Sequence, residues 1–501
     1  MNLAALTLIL SSALASTPPV PASAKSYAVI VATNTAYEST LTPLQYADDD
    51  GARYYELFSL ATSKIDILSV FDARTQTVFP EIAAKTKVPR RENVLSSLDA
   101  TFEAIRNDNK QGIQTNFYFI YVGHGSLGED GEGSMHFLDS RFTRSDLFQQ
   151  VISKSPASFN HVIIDACNAY LMVSRRGDSS DANLRAQNAV NAFLSRESLS
   201  SFPNTGVLVS TSKASEVHEW SRFEAGVFSH EVRSALAGAA DVNLDGNITY
   251  PEVQAFVSAA NAQVRNPKAK LDAFAMAPSM YLHAPLFSTK LLSATTRLVI
   301  PPKMAGKYYL EDERGVRFAD FNMSAEGPVT MTLVPSGRYF LRDSEDQELL
   351  LPVDSLASID ASQYKFQPVS STYRGSEALT FQRDLFAIPF GRSYFEGYRA
   401  SAQEAPSPPM TQSIEPTDTA SWRPLTTSLA VSGVLALAAG VTFGVMSART
   451  ADEFRVNLGS SSEISDLESQ SLQQARVANG LYVTGGTLLL GSLLSWTTSS
   501  Y

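Results

Sequence analysis

The sequence predicts an α/β protein: a mostly parallel sheet flanked by helices, followed by a small all-β domain and two C-terminal transmembrane helices. Three observations carry this. Short, continuous apolar runs alternate with helical patterns from Tyr27 onward, as buried parallel strands and their crossovers do. From about Leu298 the runs become short and closely spaced between Gly, Pro, Asp and Glu turns, the mark of an antiparallel sandwich or barrel. Residues 425–447 and 477–496 carry no charge, and spans of about 20 such residues are long enough to cross a bilayer.

In order, Tyr27-Ala-Val-Ile-Val-Ala-Thr-Asn34 reads as a first buried strand. Residues 44–57 read as a helix whose acidic first turn, Asp48, Asp49 and Asp50, suits the helix dipole. Residues 65–71 form a strand, and 91–105 carry apolar residues at helical spacing. Strands follow at 117–122 and 162–166, with a helix at 145–152 between them, and one more strand at 205–211. Strands alternating with helices in this way specify parallel pairing with right-handed crossovers. Residues 175–185 read as an exposed loop and 226–236 as a helix, and a further helix runs to about Val264. The first domain spans 25–285 and the β-rich domain 298–395, the latter read as a spacer or binding module. A Pro/Ser/Thr-rich linker covers 400–422.

A chain of 501 residues suggests two or three domains. A net charge of -11 argues against nucleic-acid binding. A single cysteine excludes an internal disulfide and a thiolate zinc site, and it invites a reading as a nucleophile. Residues 1–24 hold a short apolar run ending in Ala13-Leu14-Ala15, the pattern of a secretory signal peptide. Arg449, Arg455 and Arg476 lie between the two apolar spans, whereas only Arg423 flanks the outer side of the first. By the positive-inside rule the connecting loop is cytoplasmic and the N-terminal part lies outside. The expected protein is exported and held in the membrane by its C-terminal helices.

The chemistry gathers at two strand ends, Tyr-Phe-Ile-Tyr-Val-Gly-His124-Gly-Ser and His-Val-Ile-Ile-Asp-Ala-Cys167-Asn-Ala-Tyr. Catalytic groups of open α/β sheets collect past the carboxyl ends of strands, which would set His124 and Cys167 side by side on one rim. A thiol beside an imidazole is a nucleophile beside its base, and that imidazole can then protonate a leaving amine. Small residues after each strand leave backbone N–H groups free to face a developing oxyanion.

These residues carry a resemblance. Asn34 after the first strand, the Leu44-Gln-Tyr-Ala-Asp48 helix start, Val-Gly-His124-Gly-Ser and Asp165-Ala-Cys167 resemble, in order and spacing, the caspase-like cysteine peptidases. Within them the chain is most similar to the bacterial caspase-like and metacaspase branch, over residues 26–264. The resemblance implies an endopeptidase with Cys167 as nucleophile, His124 as base and acid, and an oxyanion hole made by the Gly125 and Cys167 amides. It implies protein or peptide substrates cut after Arg or Lys, with Asp165 in the primary pocket and Asp139 as a second pocket carboxylate. Related enzymes are cut between two subunits where Arg175, Arg176 and Arg185 lie here, so self-processing is an expectation. The chain departs from the family at Asn168, Ala169 and Tyr170, and at Gly51.

A second motif lies at 241–252. Asp241, Asn243, Asp245, Gly246, Thr249 and Glu252 occupy positions one, three, five, six, nine and twelve of an EF-hand loop. Asn247 offers its carbonyl at position seven. The loop is read as a Ca2+ site or as a structural turn; catalysis itself needs no cofactor. The other reading of the whole chain is a catalytically weak caspase-like binding or scaffold module anchored at the cell envelope.

Overall fold

The structure, a computed structural model, describes residues 24–39, 41–127, 132–166, 199, 201–210, 219–220, 223–264, 271–292, 295–334, 337–345, 347–353, 358–369 and 384–404. They belong to the first of two compact units, Met1–Ala405. The expected signal peptide, both expected transmembrane spans, Cys167 and the arginines at 175, 176 and 185 lie outside the described residues. Among the described residues no helix is long and apolar enough to cross a membrane.

Six strands form the central sheet: β1 (Lys25–Ala32), β2 (Lys64–Ser69), β3 (Thr115–Val122), β4 (Phe159–Asp165), β5 (Thr205–Ser210) and β6 (Ala273–Met276). Their order is β2-β1-β3-β4-β5-β6. The first five are parallel and β6 closes one edge antiparallel. The mixed α/β fold with a mainly parallel sheet thus stands as expected, while the antiparallel edge is new.

Successive residues of β1 serve opposite faces, as the two-residue period of a strand requires. Ala28, Ile30 and Ala32 enter a core shared with α1 (Ala47–Ser59), and Tyr27, Val29 and Val31 enter the core beneath α2 (Arg91–Lys110). Helix α2 meets that core with Val94, Leu98, Phe102 and Ile105, a stripe at helical spacing. Both faces of β1 are covered, which is why its sequence is apolar without alternation. Helices α3 (Val227–Ser234) and α4 (Tyr250–Asn261) cover the α1 face.

The β-rich residues form two sheets. One has five strands, in the order Arg317–Met323, Gly306–Asp312, Arg338–Asp343, Gln347–Pro352 and Gln367–Pro368. The other has three: Val329–Leu333, Thr296–Ile300 and Ser358–Asp360. Their inward residues do not make a core of their own. Leu298, Leu310, Phe321, Met331 and Leu341 belong to the same buried cluster as Ile30, Val232 and Phe256. Phe386 and Phe390 carry ring contacts to Phe256 on α4, at 5.8 and 5.3 Å between centroids. The β-rich segment is therefore welded to α3 and α4 rather than spaced from them. A last helix, α5 (Arg392–Glu404), extends into what reads as linker in the sequence.

Candidate active site

The strand order reverses at β1, whose chain neighbours β2 and β3 lie on opposite sides of it, so a crevice opens at the carboxyl ends of β1 and β3. Asn34 leaves β1 there and His124 leaves β3. Val122 is in register with Asp165 at the end of β4, and the Gly123 N–H donates to the Asp165 carbonyl at 3.0 Å. The two strand ends singled out in the sequence are thus hydrogen-bonded neighbours. The described chain stops one residue short of Cys167, at Ala166, whose carbonyl accepts from Ser210 Oγ at 3.1 Å.

His124 is buried. Its carbonyl is pinned by the Tyr121 hydroxyl at 2.8 Å and the His136 N–H at 3.1 Å. Its Nε2 is buried and has no hydrogen-bond partner among the described residues. Burial lowers its pKa, against hydrogen bonding to the backbones of Thr42 and Asn34, which raises it. The imidazole therefore favours its neutral form, the form that accepts a proton. Gly125 opens the short strand Gly125–Leu127, paired with Gly133–His136.

Asp165 accepts the Ser229 N–H at 3.1 Å and the Ser229 hydroxyl at 2.5 Å on one oxygen. Burial pushes its carboxyl up to about 7, Ser229 pulling it down and Asp50 pushing further up. Asp139 is elsewhere. It is exposed and accepts the Arg91 N–H at 2.9 Å, satisfying an amide at the start of α2. Among the described residues Asp139 and Asp165 have no hydrogen-bond partner in common.

The carboxylate that does share the surroundings of Asp165 is Asp50. A side chain on Gly226 would stand 3.1 Å from Asp165 Oδ2 and 3.2 Å from Asp50 Oδ2. Asp50 accepts the Gly226 N–H at 2.7 Å and Arg233 Nη1 at 2.6 Å, and that ion pair is buried. Arg53 donates to the Phe223 and Glu224 carbonyls at 2.8 and 2.9 Å. In the sequence Asp50 reads only as one of three acidic residues suited to a helix dipole. Arg233, 183 positions away, is the partner that no local pattern announces.

The 241–252 loop closes on itself. Asp241 accepts the Gly246 N–H at 2.8 Å, Asn243 the Asp245 N–H at 2.8 Å, and Asp245 the Asn247 N–H at 2.7 Å. Glu252 Oε2 accepts the Thr249 N–H and hydroxyl at 2.8 and 2.7 Å. Glu252 Oε1 is buried without a partner among the described residues. Burial pushes this carboxyl up to about 7 against the Thr249 bonds, with Asp241 and Asp245 adding to the rise. An all-oxygen donor set with one orphaned, buried carboxylate oxygen suits a hard cation. Even so, no three His, Cys, Asp or Glu side chains among the described residues are already gathered as a metal cage.

No family model and no curated protein matches the chain. Among solved structures it is similar to a pro-caspase-1, at 13% identity and TM-score 0.30, over 51% of this chain and 91% of that one. It is also similar to caspase-1 from Spodoptera frugiperda, at 11% identity and TM-score 0.32, over 53% and 92%. A protein from Geobacter sulfurreducens gives 14% identity and TM-score 0.32, over 53% and 99%.

Proposed function

We propose that this chain is a caspase-like cysteine endopeptidase, exported and held at the membrane by residues 425–447 and 477–496. The observation that carries the reading is His124. Its Nε2 is buried, without a partner among the described residues, at a strand end hydrogen-bonded to the strand that runs into Asp165-Ala166-Cys167. Cys167 follows Ala166 directly in the chain.

In the proposed reaction the Cys167 thiol gives its proton to His124 and its sulfur bonds to the scissile carbonyl carbon. The Gly125 and Cys167 amides hold the oxyanion. The C–N bond then breaks as His124 protonates the amine, and water later releases the acyl group. The test is turnover by the full chain of peptides carrying Arg, Lys or Asp before a reporter, beside Cys167→Ala. Absence of cysteine-dependent turnover would leave the binding-module reading; turnover after Asp alone would remove the basic pocket.

For the pocket we propose Asp165 as the carboxylate that meets a basic side chain. A carboxyl raised to about 7 is mostly neutral at pH 6 and mostly ionised at pH 8. Preference for Arg over a neutral side chain should therefore grow between those values. Asp165→Asn is expected to flatten that rise, whereas Asp139→Ala should leave it intact and cost about 1 kcal/mol of stability by removing the acceptor of the Arg91 N–H.

Asp241, Asn243, Asp245, Asn247 and Glu252 are proposed to hold Ca2+, a structural rather than catalytic ion. A carboxyl raised from 4.5 to about 7 on folding contributes stability that is full below pH 4.5 and lost as pH rises through 7. A cation competing with that proton gains most where the group is ionised. Calcium should therefore raise the melting temperature more at pH 8 than at pH 5. At a hundred times its Kd the gain is about 2.7 kcal/mol. Equal shifts in Glu252→Gln and wild type would refute the assignment.

A further inference from the structure

Helix α3 has one end in the candidate site and its flank in the β-rich segment. At its start Gly226 N–H holds Asp50, and Ser229, through both N–H and hydroxyl, holds Asp165. One residue on, His230 Nε2 meets Asp320 Oδ2 at 2.7 Å, both buried. Ser234 Oγ accepts the Asp320 N–H at 3.0 Å and donates to the His230 carbonyl at 2.8 Å. The same two turns thus alternate between site and β-rich sheet. Burial lowers the His230 pKa to about 4, so its ring is a neutral donor. Burial opposes the ionisation of Asp320, but Arg317, bonded to both of its oxygens, holds it well below the usual carboxylate range. A buried carboxylate fixed by Arg317 is a rigid acceptor, and charge-assisted bonds to it are among the strong ones. Arg317 also lies over the Phe223 ring at 5.0 Å, and Phe223 stacks on His230 at 4.0 Å.

We propose that Asp320 is a positioning residue for Asp165: acting through His230 and Ser234, it fixes the rotation and height of α3, and with them the bonds Ser229 gives the Asp165 carboxylate. The β-rich segment is then part of the specificity apparatus. A peptidase domain cut before Leu298 would keep Asp165 and lose what aims it. The kinetic consequence rests on the peptidase reading; the geometric one does not.

Two readouts on the full chain test this. The first is hydrogen exchange of the Gly226 and Ser229 amides in Asp320→Asn, against Leu349→Ala, a core change in the β-rich sheet with no bond to α3. The second is the ratio of kcat/KM for a peptide cut after Arg to that for its neutral citrulline analogue. Exchange at 226–229 is expected to quicken in Asp320→Asn beyond its change in Leu349→Ala. The Arg-to-citrulline ratio should fall about tenfold, through KM, as loss of one charge-assisted bond implies. Should Asp320→Asn fail to fold, Ser234→Ala removes one hydroxyl from the same link and should move both readouts the same way. Unchanged exchange at 226–229 in a folded variant overturns the proposal, and so does an unchanged ratio in an active one. If the wild-type chain shows no cysteine-dependent turnover while the exchange quickens, the peptidase reading falls and the positioning role stands.

Discussion

His124→Ala is expected to lower Cys167-dependent turnover by about 10³-fold or more in a chain that still folds. General acid–base groups contribute up to about 10⁴-fold. Here one imidazole would serve twice, taking the thiol proton and returning it to the amine. Truncation does cost stability, because the buried ring is hydrogen-bonded to the backbones of Thr42 and Asn34 through its other nitrogen, but a loss of about 1–3 kcal/mol does not remove the activity of a folded chain. The carbonyl bonds from Tyr121 and His136 survive truncation, since they are made to the backbone. Adding Cys167→Ala to His124→Ala should cost nothing further, because members of one catalytic unit are not additive. Burial lowers the His124 pKa from 6.5, so the acid limb of kcat/KM should lie below pH 6.5. Full activity in His124→Ala, or equal losses summing in the double variant, would remove the dyad. A circular-dichroism melt of each variant separates this from unfolding.

What could be read from the sequence was what local pattern encodes. The runs 27–34, 117–122 and 162–166 are apolar without alternation because both faces of β1, β3 and β4 are covered, and they emerge as adjacent parallel strands. His124 at a strand end follows from the same pattern, since the small residues after β3 stop the run. The carboxylates show where pattern ends. Asp139 follows His124 closely in sequence, but the register of Gly133–His136 with Arg141–Thr143 turns it to the start of α2. Asp50 reads as a dipole partner in an acidic turn, yet it is buried against an arginine on α3. A buried ion pair leaves no signature at either position, because each charge is compensated only after folding. The joint core of the β-rich segment is invisible for the same reason: the alternation of its strands shows that one face is buried, not what buries it.

Gly238→Ala should be the most damaging single-methyl change in the described chain, costing about 3 kcal/mol or more. Two independent penalties meet there. Gly238 lies in the turn after α3 with φ +127°, a backbone conformation that a side chain opposes. A methyl group on it would also stand 2.1 Å from the Thr330 carbonyl oxygen. Ordinary C···O contacts run to about 3.3 Å or more, so that oxygen would have to retreat by roughly 1 Å. It cannot do so alone, because Thr330 sits in Val329–Leu333, paired to Thr296–Ile300. Displacing it moves a strand away from the core that α3 and the β-rich sheets share. Gly315→Ala supplies the comparison: its φ is +78°, but nothing lies within 4 Å of the added methyl. It should cost only the conformational term, about 1 kcal/mol. The difference between the two variants isolates the carbonyl contact, a close backbone approach between the β-rich segment and the turn that follows the helix holding Asp165. Thermal melts within a degree of one another would mean that this approach is not made. A gap of roughly 4 °C or more, expected from the difference of about 2 kcal/mol, would mean that the two parts lose their packing together.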